Sequence, residues 1–131
     1  MKNLTHPSKE DISLFALLYA LSEPLRFTII EQLADGEELT CGNFKLPYSK
    51  GKSTMTHHFK VLRDAGLICT RVDGREHYTS LRRQDIEQRF PGLLDALIAA
   101  FKSAEKPNLV ALHSSSRAGK LAFMETINEI K

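Results

Sequence analysis

The stretch SKGKSTMTHHFKVLRDAGLI, residues 49–68, constrains the fold more strongly than any other part of the sequence. Serine is a common helix N-cap and glycine commonly follows a helix C-terminus, so the stretch predicts a helix capped by Ser53 that runs to Ala65 and stops at Gly66. Apolar residues recur on one side with the helical period, and that side is predicted to pack inward. They are Met55, Phe59 and Leu62.

Gly51-Lys52-Ser53 matches the end of the nucleotide phosphate-binding loop G-x-x-x-x-G-K-[ST]. That loop needs its first glycine at the position that Leu46 occupies here, and it must follow a buried strand. The preceding residues, CGNFKLPYS, do not have the pattern of such a strand. The sequence therefore argues against a nucleotide-binding loop of this class.

The opposite side of the predicted helix carries residue types that bind DNA. Hydroxyl and imidazole groups can hydrogen-bond to base edges, and lysine and arginine can bind phosphates or guanine. At about 100° per residue, the outer face and its flanks carry Ser53, Thr54, Thr56, His57, Lys60 and Arg63, and the preceding loop adds Lys50 and Lys52. An ordinary surface helix would show the same period, but the basic loop favours the DNA interpretation.

His58 lies between the two faces, roughly 65° from the centre of the apolar side. This position favours a boundary histidine that bonds to the scaffold over one that contacts a base. His58 nevertheless remains among the candidate DNA-binding residues.

Positive charge is concentrated around the same helix. Residues 47–83 hold eight Lys/Arg against three Asp/Glu, a net charge of +5, whereas the rest of the chain holds ten against thirteen, a net charge of −3. A basic region of this kind is typical of a surface that binds nucleic acid. A solvated basic surface without a ligand is the alternative.

A β-hairpin is predicted within residues 67–81, because Asp73-Gly74 is a strong signal for a two-residue hairpin turn. The cross-strand pairs of such a hairpin are Arg71 with Glu76 and Cys69 with Tyr78. Its candidate contacts to the DNA backbone or the minor groove are Arg71, Arg75 and His77. The alternative is a solubilising hairpin with a weak surface ion pair.

The other segments complete the order of a winged helix-turn-helix. Ser8 and Asp11 resemble a capping box and predict a helix over residues 9–21. Pro24 suits the first position of a second helix. The remaining predictions are an end of that helix at Asp35-Gly36, a short helix at Thr40–Lys45 and two helical segments separated by Pro91. The result is a mainly α fold with a β-hairpin wing.

Length and composition agree with one domain in the cytoplasm. Residues 1–106 are predicted to form the DNA-binding and dimerisation domain, and residues 107–131 a helical extension that packs on it. The longest apolar run is too short to cross a bilayer, and no signal-peptide pattern opens the chain. Cys41 and Cys69 fit a reducing compartment, either as small buried residues or as a redox switch.

LSEPLRFTIIEQL, the 49–68 stretch and VDGREHYTSL together resemble the ArsR/SmtB-type family of bacterial winged-helix repressors. The family pattern S-x-x-[ST]-x-H-[FL]-x-x-L-x-x-A-G-[LI] is matched from Ser53 to Leu67. LRRQDIEQRFPGLLDAL, residues 81–97, is similar to a subgroup of that family. The resemblance covers about residues 10–100 of the chain.

The resemblance implies a homodimer that binds a palindromic operator in double-stranded DNA and represses transcription until a small inducer releases it. It implies that the first and last helices, residues 9–21 and 91–105, form most of the dimer interface. The apolar candidates there are Leu14, Phe15, Leu18, Leu94, Leu97, Ile98 and Phe101.

The metal-sensing members of the family differ from this sequence at their ligands. They carry a C-x-C pair in the third helix or His and Asp ligands on the last one, whereas LTCGNF has Cys41 alone and no His lies between His77 and His113. A metal of this class needs three or four converging ligands, so we predict no metal site and no cofactor. No nucleophile–base motif indicates an enzyme. A winged-helix protein-interaction module that does not bind DNA is the alternative function.

Overall fold

The structure is a computed structural model that describes residues 4–46 and 51–104. Its helices are α1 (Leu14–Leu21), α2 (Pro24–Leu33), α3 (Lys52–Asp64), α4 (Arg83–Arg89) and α5 (Leu93–Ser103). Its strands are β1 (Leu39–Thr40), β2 (Ile68–Asp73) and β3 (Glu76–Leu81), and short 3-10 helices lie at Lys9–Asp11 and Cys41–Asn43. The predicted fold class, mainly α with a β-hairpin wing, is confirmed. The predicted extension at residues 107–131 lies outside the described residues.

The first helix begins later than the Ser8–Asp11 pair predicts. The hydroxyl of Ser8 does donate to Asp11 Oδ2 at 2.9 Å, but only the 3-10 helix follows. Ser13 then caps α1, because its side-chain oxygen accepts a hydrogen bond from the backbone N–H of Ala16 at 3.4 Å. Ile12 lies between the two helices with an extended backbone and is buried in the core. The predicted single helix is therefore two separate elements.

The predicted start of α2 at Pro24 is confirmed, and Gly36 follows its end with φ +89°. The predicted start of α3 is wrong by one residue, because Gly51 is the N-cap and the Ser53 side chain makes no capping bond. The predicted end of α3 is confirmed at Gly66, which has φ +87°. There the Leu67 N–H bonds to the Leu62 carbonyl at 3.1 Å, closing the last turn.

The three strands form one antiparallel sheet in the order β1-β3-β2. The predicted hairpin is present, but its register is wrong by one residue on each strand. Asp73 pairs with Glu76, so the turn residues are Gly74 and Arg75. Gly74 has φ +63° at the first turn position, as in a type II′ turn. The observed cross-strand pairs are Arg71 with Tyr78 and Cys69 with Ser80.

One hydrophobic core joins the helices to the base of the hairpin. Its completely covered residues include Leu17, Leu25, Ile29, Leu62, Leu67, Ile68 and Ile86. Phe101 of α5 stacks on Phe27 of α2 with ring centroids 4.5 Å apart, which fixes α5 against α2. None of the helices in residues 4–46 and 51–104 has the length and hydropathy needed to span a membrane.

The core also corrects two predicted interface residues. Leu94 and Ile98 are only 2% and 7% exposed, because α5 turns them toward its own chain. They are therefore covered before any partner binds. Leu97 and Phe101 remain partly exposed on the same helix.

Candidate nucleic-acid interface

The outward side of α3 is a continuous polar stripe. Ser53, Thr56, His57, Lys60 and Asp64 are exposed at i, i+3, i+4, i+7 and i+11, the spacing of one helix face. The flanking candidates Thr54 and Arg63 are half-buried. Lys52 is the first residue of α3, and Lys50 lies outside the described residues. The stripe therefore has the orientation that the apolar period predicted.

The only lysine of this stripe, Lys60, forms an ion pair. Its Nζ lies 2.6 Å from Asp64 Oδ2, one turn further along α3. Both side chains are more than half exposed, so the pair contributes little to stability. A phosphate could therefore replace Asp64 as the partner of Lys60 with little loss of folding energy.

His58 is a core residue, and its prediction as a DNA contact is wrong. It is 5% exposed, with Nδ1 3.5 Å from Nη1 of Arg26, which is itself 6% exposed. The Nε of Arg26 donates to the carbonyl of Ala20 at 2.7 Å. Because the Arg26 side chain bridges the end of α1 and His58, this histidine fastens α3 to the scaffold.

Arg71 is likewise held by its own chain. Its Nη2 and Nε donate to the two carboxylate oxygens of Glu38 at 3.0 and 3.3 Å, a two-point contact that links β2 to the segment before β1. The hydrogen bond from Arg71 lowers the pKa of the Glu38 carboxyl. The guanidinium also lies 4.4 Å from the ring centroid of Tyr78. Arg71 thus stabilises the hairpin, and its side chain remains about half exposed, so its role as a DNA contact stays a prediction.

Two candidate residues of the wing remain open to solvent. Arg75 lies at the turn and His77 on β3, and both are exposed. In residues 4–46 and 51–104 no acidic side chain forms an ion pair with Arg75. The tip of the wing therefore offers a cation that no carboxylate of the described residues neutralises.

His6 also contacts the wing, which the sequence did not indicate. Its Nε2 accepts a hydrogen bond from the backbone N–H of Thr70 at 3.0 Å, on the edge strand β2. Burial, then the positive charges of Arg63 and Arg82, lower the pKa of His6. Arg82 also donates to the Pro7 carbonyl at 2.7 Å. The N-terminal segment is thereby tied to the wing.

A second surface of interest is the apolar patch of α1, which consists of Leu14, Phe15, Leu18 and Tyr19. Phe15 is 80% and Tyr19 68% exposed, and both leucines are also accessible to solvent. Large apolar side chains grouped in this way are typical of an interaction surface. The sequence had indicated all of them except Tyr19.

Sites for metals and reactive thiols are sparse in the described part of the chain. No group of three His, Cys, Asp or Glu side chains that could hold a metal ion occurs in residues 4–46 and 51–104. Cys69 is a free thiol and is exposed on β2, rather than a small buried residue. Cys41 begins the second 3-10 helix.

No family profile matches the chain, but individual proteins do. The uncharacterized HTH-type transcriptional regulator YceK of Bacillus subtilis (strain 168) is 38% identical over 95 residues, which cover 72% of this chain and 95% of that protein. The arsenical resistance operon repressor of Staphylococcus xylosus is 31% identical over 74 residues, covering 56% of this chain and 70% of the repressor.

A solved structure of an ArsR family transcriptional regulator has the same fold, with a TM-score of 0.53 at 20% identity over 77% of this chain and all of that chain. This chain belongs to the ArsR-type helix-turn-helix regulators. A second solved structure is that of a possible transcriptional regulator for arsenical resistance, with a TM-score of 0.50 at 31% identity. The match covers 79% of the ArsR-type regulator described here and 99% of the chain in that second structure. The family resemblance is therefore confirmed, and the family is one of regulators, not of enzymes.

Proposed function

We propose that this ArsR-type regulator is a repressor that binds double-stranded DNA sequence-specifically, as a homodimer on a palindromic operator in the cytoplasm. The observation that carries the proposal is the exposed polar stripe of α3. Three short polar side chains, those of Ser53, Thr56 and His57, project from the first two turns of a helix whose other side is fixed in the core. The staphylococcal relative is named a repressor, which supports the same role here.

In this proposal α3 is the recognition helix and enters the major groove. The hydroxyl of Thr56 and the imidazole of His57 would hydrogen-bond to base edges. Lys60 would exchange Asp64 for a phosphate, and Arg75 would contact the backbone or minor groove beside the helix. The division follows from position, because Thr56 and His57 lie in the first two turns of α3, whereas Lys60 lies one turn further along and Arg75 lies at the tip of the wing.

The α1 patch supplies the surface for dimerisation. Two copies related by a twofold axis would bury Phe15 and Tyr19 of both chains, and the partly exposed Leu97 and Phe101 of α5 would extend the contact. A twofold dimer presents two recognition helices to successive major grooves, about 34 Å apart. A small-molecule inducer that shifts this spacing would release the operator.

The proposal is tested by selecting bound fragments from genomic DNA and measuring affinity for the selected site against salt. We expect log K to fall linearly with log salt, with a slope of about −0.9 per phosphate contact. His57→Ala should abolish the preference for the selected site over scrambled DNA, whereas Gln84→Ala, on the exposed side of α4, should leave it unchanged. Absence of binding at low salt, or binding that ignores salt, would indicate the protein-interaction module instead.

A further inference from the structure

A cavity of about 180 Å³ opens between α3 and the wing. The helix contributes Thr56, Phe59 and Arg63, which lie at i, i+3 and i+7 on the flank that faces the hairpin. The hairpin contributes the cross-strand partners Thr70 and Thr79, together with His77. The volume is well above the roughly 10–15 Å³ that one water molecule requires, so a small ligand fits.

Two of the residues that line this cavity each carry a buried polar atom that has no hydrogen-bond partner in the described part of the chain. Thr70 is 8% exposed, and its Oγ1 makes no hydrogen bond with any group of residues 4–46 and 51–104. The Nε of Arg63 is also buried and also lacks an acceptor within those ranges. Buried polar groups are nearly always satisfied in folded proteins, so two unsatisfied groups in one cavity point to a ligand that accepts hydrogen bonds.

The charge of the cavity selects the kind of acceptor. No carboxylate of residues 4–46 and 51–104 lines it, and Arg63 forms no ion pair with an acidic residue in those ranges. The neighbouring carboxylate, Asp64, is bound to Lys60. The positive field extends to His6, whose pKa is lowered by burial and then by Arg63 and Arg82. A neutral acceptor would leave the charge of Arg63 unmatched, whereas an anion would neutralise it.

We propose that the cavity between α3 and the wing is a binding site for a phosphate-class oxyanion. Arg63 donates from Nε to one oxygen of the anion, and Thr70 donates from Oγ1 to a second oxygen. The anion could be free in solution or could be a backbone phosphate of DNA, since Thr56 and His77 also belong to the proposed DNA face. The arm of the test that uses DNA rests on the proposed function, and the arm that uses free phosphate does not.

The first arm titrates the full-length protein with inorganic phosphate at constant ionic strength, followed by calorimetry and by amide chemical shifts. We expect saturable binding with shifts at Arg63, Thr70 and Thr79. Arg63→Met should raise Kd at least about tenfold and Thr70→Val about fivefold, since each removes a hydrogen bond to a charged group. Thr70→Ser keeps the hydroxyl and should change Kd less than about twofold.

Arg75→Met is the matched control, because it removes one exposed cation of the same wing outside the cavity. Equal weakening by Arg63→Met and Arg75→Met would mean general attraction of phosphate to a basic surface and would overturn the site. Thermal unfolding of each variant establishes that it is folded. Thr70→Val should stay folded, because valine is favoured in strands.

The second arm measures binding of the selected double-stranded DNA by the Arg63→Met, Thr70→Val and Thr70→Ser variants. If DNA supplies the phosphate, Thr70→Val should weaken binding equally at every salt concentration, Thr70→Ser should not, and Arg63→Met should reduce the salt slope by about 0.9. Saturable phosphate binding without any DNA binding would support the oxyanion site and refute the proposed function. If the protein binds no phosphate, and if Arg63→Met and Thr70→Val bind DNA as wild type does, the oxyanion site is refuted but the proposed function is not.

Discussion

Arg26 of α2 and His58 of α3 meet inside the core, with Nη1 of the arginine 3.5 Å from Nδ1 of the histidine. The same guanidinium donates from Nε to the carbonyl of Ala20, near the C-terminus of α1. A single buried side chain therefore joins α1, the helix of the apolar patch, to α3. The family pattern includes this histidine, and the structure gives it a scaffold role.

Loss of the Arg26 side chain should destabilise the protein. Arg26→Met keeps much of the volume but removes the hydrogen bond to the Ala20 carbonyl and the contact with His58 Nδ1, which should lower the free energy of unfolding by about 2–3 kcal/mol. Urea denaturation measures the change. Arg75→Met removes an exposed arginine and should stay within about 0.5 kcal/mol of wild type. Equal stability of both variants would contradict the bridging role of Arg26.

The end of α3 should not tolerate a methyl group. A Cβ at Gly66 would lie 2.6 Å from Cγ1 of Ile12, and the backbone there has a φ of +87°. Gly66→Ala should therefore lower the free energy of unfolding by about 2–4 kcal/mol, from the left-handed backbone and from overpacking.

Gly36 is the matched control for this substitution. It has a similar φ of +89°, but apart from its chain neighbours no atom of the described residues lies within 4 Å of a Cβ built there. Gly36→Ala should lose only about 1–2 kcal/mol, the backbone contribution. If Gly66→Ala lowers the free energy of unfolding no more than Gly36→Ala does, the Ile12 side chain must move aside for the added methyl group.

Acid should weaken the fold through His6. Because the folded protein lowers the pKa of His6, the unfolded chain binds its proton more readily. The contribution of the neutral imidazole is thus fully present above the unfolded pKa of about 6.5, and it is lost as pH falls through the folded value. His6→Gln retains an acceptor for the Thr70 N–H but cannot titrate. As the pH falls from 7.5 to 5, wild type should therefore lose more unfolding free energy than His6→Gln does. A difference between the two proteins that stays constant with pH would contradict the prediction.

A charge in the α1 patch should dissociate the proposed dimer without unfolding the chain. Phe15→Glu places a carboxylate on a side chain that is 80% exposed in the single protomer. Sedimentation should show folded monomers for Phe15→Glu and dimers for Gln84→Glu, which places the same carboxylate on the exposed side of α4. Leu94→Glu should unfold the protein instead, because Leu94 is 2% exposed. Dimers that persist in Phe15→Glu would exclude this patch as the interface.

The proposed base contacts and the proposed phosphate contacts should respond differently to substitution. Replacing Thr56 or His57 should alter sequence preference, whereas replacing Lys50 or Lys52 should weaken binding to all sequences alike. Competition assays with a set of operator variants distinguish the two outcomes. Uniform weakening in all four variants would show that none of them reads a base.

The sequence predicted those features that depend on neighbouring residues. Pro24 and Gly66 mark helix ends through their own backbone preferences, and the period of Phe59 and Leu62 orients α3. β1 was not predicted, because two residues are too few to show the period of a strand. The hairpin register was wrong because Asp73-Gly74 was assigned to the turn, whereas Gly74 with its positive φ occupies the first turn position and Arg75 the second.

Contacts between distant segments account for the features of the site that the sequence did not predict. Arg71 has a partner 33 residues away in Glu38, and the acceptor of the Thr70 N–H, His6, is 64 residues distant. No pattern along the chain indicates either pair. Leu94 and Ile98 follow the same helical period as Leu97 and Phe101, so the period could not separate the side of α5 that packs on its own chain from the side that remains partly exposed.

The close approach of Ile12 to Gly66 has a mechanical consequence. Ile12, which precedes the cap of α1, rests against Gly66 between α3 and the wing, with no space there for even a methyl group. Densely packed groups transmit displacement instead of absorbing it. If a second subunit tilted α1, α3 and the wing would therefore move together as one rigid unit.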